Sequence, residues 1–276
     1  MLSKFYVQDH VKMALMEDIG YGDITTENLA GENDFLKAEL NTRSEGVLCG
    51  CDVFKTVYET LSDKVDIKFY FKDGDKIKKG DKIADISGPA KDLLMGERVA
   101  LNYIQRMSGI ATETGKYQEA IKPYSAKIVD TRKTTPNFRA FEKYSVKVGG
   151  GALHRFNLSD CAMIKDNHIR LAGSITAAVN KLRENISHAH KIEVECDTLE
   201  QVKEAVSVKS DIIMLDNMSV ETMKQAVEII NHQAVVEASG NVKLDTVNAI
   251  ASTGVDIISS SAIVAKAPTL DLALDM

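Results

Sequence analysis

A chain of 276 residues, 44% hydrophobic and 27% charged, has the composition of an ordinary globular protein of one large domain or two smaller ones. Its net charge of −6 excludes the broad basic face of a general nucleic-acid or anionic-membrane binder. No window approaches the roughly 18 apolar residues needed to span a bilayer.

The opening run MLSKFYVQDHVKMALMEDIG is amphipathic and interrupted by charges, without the apolar core of a signal peptide. The four cysteines (Cys49, Cys51, Cys161, Cys196) form neither a CxxC pair nor a zinc-ligand spacing. Reduced, mainly buried thiols in a cytoplasmic protein are expected. Residues 35–90 contain FLKAEL, GVLCG, VDIKFYF and DKIADI between turn signals such as KDGDKIKKGD. They predict a small, mainly antiparallel sheet with a helix near 52–62. DGDKIKKGDKIADI resembles turns of lipoyl-type domains, but no modifiable lysine stands in the exposed hairpin such a domain needs. LLMGERVALNYIQRMSGI predicts a long helix, with Ala100, Ile104 and Met107 on an apolar stripe and Arg98, Asn102 and Arg106 on another face.

From about residue 125 the pattern changes to a short apolar run, a polar tip and a helix, repeated. The runs are KIVDT (127–131), AMIKD (162–166), KIEVEC (191–196), DIIMLD (211–216), AVVEAS (234–239) and DIISSS (256–261). Such near-continuous apolar runs fit parallel strands covered on both faces. The intervening TLEQVKEAVSV, SVETMKQAVEII and LDTVNAIAST have helical spacing, with Thr198, Ser219 and Asp245 at N-cap positions. The alternation means βαβ units. Each run ends in a chemically useful residue, which favours a barrel mouth over the single switch point of an open doubly wound sheet. The repeats are too short for eight units, so an open, incomplete (β/α) barrel is expected.

The strand ends supply cations (Arg132, Lys133, His154, Arg155, Lys165) and carboxylates (Glu195, Asp216, with Asp166 nearby). Guanidinium forks grip carboxylate or phosphate at two points. Carboxylates within such a site point to Mg²⁺ or sugar hydroxyls. The small residues of EASGN (237–241) and SSSA (259–262) let backbone N–H groups approach a phosphate. Each feature alone has a plainer explanation. A lone strand-end cation is usually a solvated loop charge, and Glu195 or Asp216 alone would be a cap or helix-dipole partner. GGG (149–151) is a turn after the helix NFRAFEKYSVKV, on which Lys143 and Lys147 are read as a solvated face. His188, His190 and His232 have no partner pattern. The coincidence of all three kinds of group at successive strand ends favours a site for a small, highly charged anion.

The run DTRKTTP…EKYSVKVGGGALHR…IKDNH strongly resembles the quinolinate phosphoribosyltransferases. The resemblance continues through EDIGYGDITT, GERVALNYIQRMSGIAT, EVEC, MLDN, EASGN and LDLALDM, and so covers nearly the whole chain. It implies an N-terminal α/β sandwich over 1–108, completed by about 266–276, and an open (β/α) barrel over 109–265. It also implies a homodimer, or a hexamer built as a trimer of dimers, with active sites shared between subunits and no nucleic-acid or membrane partner. The implied reaction joins quinolinate to phosphoribosyl pyrophosphate, with Mg²⁺, giving nicotinate mononucleotide, pyrophosphate and CO₂.

Carried over residue by residue, Arg132, His154, Arg155 and Lys165 would hold quinolinate, with Arg98 reaching in from the neighbouring subunit. Thr131 would bind substrate, and Lys133 would sit near both substrates. Glu195 and Asp216 would contact ribose hydroxyls and the Mg²⁺ environment, making Lys133, Glu195 and Asp216 the catalytic set. The backbones of Ser239, Gly240, Asn241, Ser260, Ser261 and Ala262 would hold phosphate. Ser261 and Asn137 stand where the family often has glycine. Two rival readings are a Schiff-base aldolase using Lys133 or Lys165 and a phosphate-ligand binder without turnover.

Overall fold

In the computed structural model, which describes residues 2–276, Val7, Val11 and Leu15 form the buried stripe of the first helix, four residues apart. That helix, α1 (Lys4–Ile19), is followed by α2 (Ile24–Leu29), β1 (Phe35–Thr42), β2 (Gly46–Val47), α3 (Cys51–Leu61), β3 (Asp66–Phe69), β4 (Lys76–Ile77), β5 (Lys82–Pro89) and the long α4 (Ala90–Ala120). Strands and helices then alternate through β6 (Lys127–Val129), α5 (Arg139–Val148), β7 (Ala162–Ile164), α6 (Asp166–Ala172), α7 (Ile175–Asn185) and β8 (Ile192–Cys196). The remainder is α8 (Leu199–Ser207), β9 (Ile212–Asp216), α9 (Val220–Ile230), β10 (Val235–Ser239), α10 (Val247–Ala251), β11 (Ile257–Ser259), α11 (Ala262–Ala265) and β12 (Leu272–Asp275).

The chain divides into two units. The first runs to Gly115 and takes in Pro136–Gly150 and Ala267–Met276. Its antiparallel sheet has the order β12-β1-β5-β3, so the C-terminal strand completes the sheet by pairing Leu40 with Leu274. Ala100, Ile104 and Met107 of α4 are fully buried, as their spacing predicts. Gly109 of the same helix lies so close to the Pro268 carbonyl that a Cβ there would sit 1.9 Å from its oxygen.

Helix α5 belongs to this unit, although the sequence reading groups it with the barrel. The reason is aromatic packing: Phe141 lies 4.8 Å from His10 and 5.4 Å from Tyr103, ring centre to ring centre. One expectation is corrected here. Lys143 is buried at 2% exposure, on the packed side of α5, and only Lys147 of that pair is exposed. Arg106 turns away from exposed Arg98 and Asn102 to donate to buried Glu142 at 2.8 Å and to the Ala267 carbonyl at 2.9 Å. A guanidinium reaches inward when a buried carboxylate and a carbonyl both await its fork.

The second unit, Lys116–Thr135 and Gly151–Lys266, carries a six-stranded parallel sheet in the order β6-β11-β10-β9-β8-β7. Thr198 and Ser219 cap α8 and α9, accepting from the backbone N–H groups of Gln201 and Thr222. Asp245 is not a cap: α10 starts at Val247, and the Thr246 hydroxyl instead accepts from the Lys243 N–H. The strands are not uniformly apolar. Their register places Ile164, Val194, Ile213, Val236, Ile258 and Ile128 on one side, all buried. The alternate positions carry Glu193, Glu195, Asp216, Glu237 and Ser239. One face is therefore core and the other a polar interior.

Candidate active site

Register aligns the chemistry. Ile164 pairs with Val194, so Lys165 emerges beside Glu195, and their side chains form an ion pair. On the next strands Asp216 pairs directly with Ser239. Lys165 is tied down from behind, because its backbone N–H donates to His168 Nδ1 at 3.0 Å. Glu195 and Asp216 are both half-buried.

A residue beside this set was not singled out from sequence. Asn217 has φ +53 and links two strand ends. Its side chain donates to Asp216 at 2.7 Å and accepts from Asn241 at 2.9 Å, while its backbone N–H donates to the Ser239 carbonyl at 3.0 Å. Gly240, at φ +89, is required by this arrangement, because a Cβ would fall 2.3 Å from Asn217 Oδ1. The asparagine after a strand-end aspartate, facing a glycine one strand away, was the available signal.

The second small-residue loop is partly self-satisfied. The Ser260 N–H donates to the Val129 carbonyl, and the Ala262 N–H to Ser260 Oγ. Ser261 has φ −74, so the chain needs no glycine there and accommodates a hydroxymethyl group. Asn137, by contrast, keeps the left-handed φ of +60 that a glycine would supply. Arg132 and Lys133 are exposed on the loop after β6, where the Lys133 N–H donates to Thr131 Oγ1 at 3.0 Å. Arg98 lies exposed on α4 in the first unit.

The segment 151–155 lies between the two edges of the sheet. Ala152 bridges Val129 of β6, and Arg155 donates to the Cys161 carbonyl at 2.8 Å and to Met163 Sδ at 3.3 Å beside β7. The sheet is thus curled into an open barrel. Only curling lets His154, from this segment, reach Glu193 of β8 and Glu237 of β10. Its Nε2 lies 3.5 Å from Glu193 Oε1 and 3.4 Å from Glu237 Oε1. Both acids are buried, and His154 is nearly so.

Burial alone would lower the His154 pKa, but the two carboxylates outweigh it and push it up to about 10. Burial raises the Glu193 pKa, with repulsion from Glu237 adding to it and His154 opposing. The short contact from the Arg155 N–H to His154 Nδ1, at 2.7 Å, asks instead for a bare nitrogen. These demands are compatible if Nε2–H faces the acids and the cluster shares one further proton, held through neutral pH.

No thiol competes as a nucleophile. Burial pushes Cys161 up to about 11 and Cys196 up to about 12, and Cys49 and Cys51 are also raised by burial. All four are free. Among the described residues no helix is long and apolar enough to cross a membrane.

Known proteins share this sequence and fold. A family model described as "Quinolinate phosphoribosyl transferase, C-terminal domain" matches residues 110–275, and its N-terminal counterpart matches 23–108. The chain is 44% identical over 265 residues to a probable nicotinate-nucleotide pyrophosphorylase (carboxylating) of Synechocystis sp., covering 95% of this chain and 90% of that one. It is 42% identical over 261 residues to the Bacillus subtilis protein of the same description, with the same coverage. The crystal structure of NadC from Streptococcus pyogenes is similar with a TM-score of 0.97 at 40% identity, over 100% of this chain and 98% of that chain.

Proposed function

The chain belongs to the quinolinate phosphoribosyltransferase family, and we propose that the strand ends of its second unit carry the reaction. The reaction converts quinolinate and phosphoribosyl pyrophosphate to nicotinate mononucleotide, pyrophosphate and CO₂ in NAD biosynthesis. One observation supports the placement above all. A lysine–glutamate ion pair and an aspartate–serine register pair stand at neighbouring strand ends, beside a glycine loop held by Asn217.

Quinolinate is a dianion: Arg132, Arg155 and Lys165 supply the positive charge that orients it for attack by its ring nitrogen, and His154 helps to hold it in place. Arg98 of a neighbouring subunit completes the grip, which makes the working unit a homodimer or a hexamer built as a trimer of dimers. As the nitrogen bonds to the ribosyl carbon, pyrophosphate leaves and cationic character passes through that carbon. Glu195 and Asp216 stabilise it and hold the ribose hydroxyls, with Thr131 and Lys133 at the leaving group. The quaternised nitrogen then accepts charge as the C2 carboxylate departs as CO₂, and the ring carbon takes a proton. Glu195 and Asp216 are the residues that would hold Mg²⁺ with phosphoribosyl pyrophosphate, where the ion would offset the charge of the leaving pyrophosphate. Half-buried carboxylates set opposite a lysine are the hard oxygen donors such an ion accepts. Ser239–Asn241 hold the ribosyl phosphate, with Ser260–Ala262 beside them. A cytoplasmic location suits these highly charged, water-soluble substrates.

Incubating the pure protein with both substrates and Mg²⁺ tests the reading through release of CO₂ and pyrophosphate. Release of neither would sink it. In Arg132→Ala, quinolinate should bind at least about tenfold more weakly while phosphoribosyl pyrophosphate changes about twofold or less. Equal loss of both would remove Arg132 from the quinolinate site.

A further inference from the structure

Glu193 and Glu237 are absent from the mechanism above, yet both are carboxylates buried in the second unit. Glu193 is completely buried and Glu237 is 3% exposed. Both Glu193 oxygens and Glu237 Oε1 lack an aligned hydrogen-bond donor. A fold keeps two such carboxylates together only if something between them is worth the desolvation. His154 is between them, and one donor atom from each of the three lies within 4.8 Å of the other two.

A divalent metal is the first occupant to consider. The hydrogen bonding argues against it. His154 Nδ1 accepts from the Arg155 N–H, so the ring carries its proton on Nε2, the nitrogen that faces the carboxylates. A histidine metal ligand needs the reverse, a bare nitrogen toward the ion and a donor on the far side. Register adds a second point. Glu193 pairs with Met163 and Glu195 with Met214, so Glu193 lies one pleat below the Lys165–Glu195 pair, beneath the mouth rather than in it.

We propose that Glu193 and Glu237 are positioning residues that hold the His154 ring by its Nε2–H and, through Nδ1, fix the backbone of Arg155 at the quinolinate site. The relay is continuous on the molecule: two carboxylates orient the ring, and the ring accepts the next residue's N–H. The Arg155 guanidinium is anchored separately on Cys161 and Met163. The carboxylates touch no substrate in this scheme. Their effect reaches quinolinate only through the geometry of His154 and Arg155, and it rests on the quinolinate reading of that site.

The test compares Glu193→Leu, Glu193→Gln and Glu237→Gln with the parent protein. First, nitrogen NMR of ring-labelled histidine, without substrate, should show His154 protonated on Nε2 in the parent and altered in Glu193→Leu. A bare Nε2 in the parent, or a His154 signal unchanged in Glu193→Leu, overturns the proposal. Because this needs no turnover, it stands apart from the quinolinate reading, which the activity assay alone decides. Second, the quinolinate KM should rise about tenfold or more in Glu193→Leu, with that for phosphoribosyl pyrophosphate within about twofold. Glu193→Gln and Glu237→Gln should recover part of the loss. Parallel changes in both KM values, or no recovery by glutamine, would mean a purely structural role. A stoichiometric divalent ion in the purified parent, lost in Glu237→Gln, would also overturn it.

Discussion

Each unit of the molecule buries glutamate, and the two do so differently. In the first unit Glu142 is fully buried, but Arg106 meets it at 2.8 and 3.3 Å and adds a bond to the Ala267 carbonyl. In the second unit Glu193 is equally buried, and its oxygens face an imidazole at 3.5 Å without an aligned bond. A carboxylate oxygen that takes two bonds from one guanidinium is a structural fastener. An under-satisfied one is tolerated where its field acts on something else, here His154.

The contrast predicts that damage to a fastening acid and damage to an acid of the site separate stability from chemistry. The largest effect is expected from Glu142→Leu, which leaves the Arg106 guanidinium without its buried partner. Urea unfolding should show a loss of about 3 kcal/mol. A loss below about 1 kcal/mol would show that Arg106 finds solvent instead. Next comes Glu195→Gln, at the mouth. It should lower kcat about 100-fold while changing stability by less than about 1 kcal/mol, because the partner Lys165 is 42% exposed. Steady-state kinetics and denaturation on one preparation read both numbers. A kcat within about threefold of the parent would remove Glu195 from the chemistry.

A third consequence concerns pH. The proton that His154 shares with its carboxylates is held up to about 10, above imidazole's ordinary 6.5. Its contribution is therefore complete below about pH 6.5 and is lost as pH rises through about 10. The alkaline fall in melting temperature should be shallower in His154→Gln, and an unchanged slope would contradict the pairing. The smallest effect is expected from Ser261→Gly. With φ already −74, glycine releases no strain, so the KM for phosphoribosyl pyrophosphate should stay within about twofold. A larger gain would mean that the Ser261 side chain narrows the phosphate loop.

Much of this was present in the chain before folding. The alternation of apolar runs with capped helical segments determines βαβ units, because each strand must be covered and each helix must bury its stripe. The polar residue closing each run determines that cations, carboxylates and small residues collect at one end of the sheet. The quoted motifs carried the family. Three features were beyond sequence, for one reason: they depend on which distant atoms meet. Lys143 looks like a surface charge until α5 is seen to pack by Phe141 into the first unit. Asn217 looks like a loop residue until Gly240 comes within reach of its side chain. Glu193 and Glu237 look like ordinary charges within apolar strands, since composition does not tell which face of a strand turns inward. Only the curl of the sheet brings β8, β10 and the 151–155 segment around one imidazole.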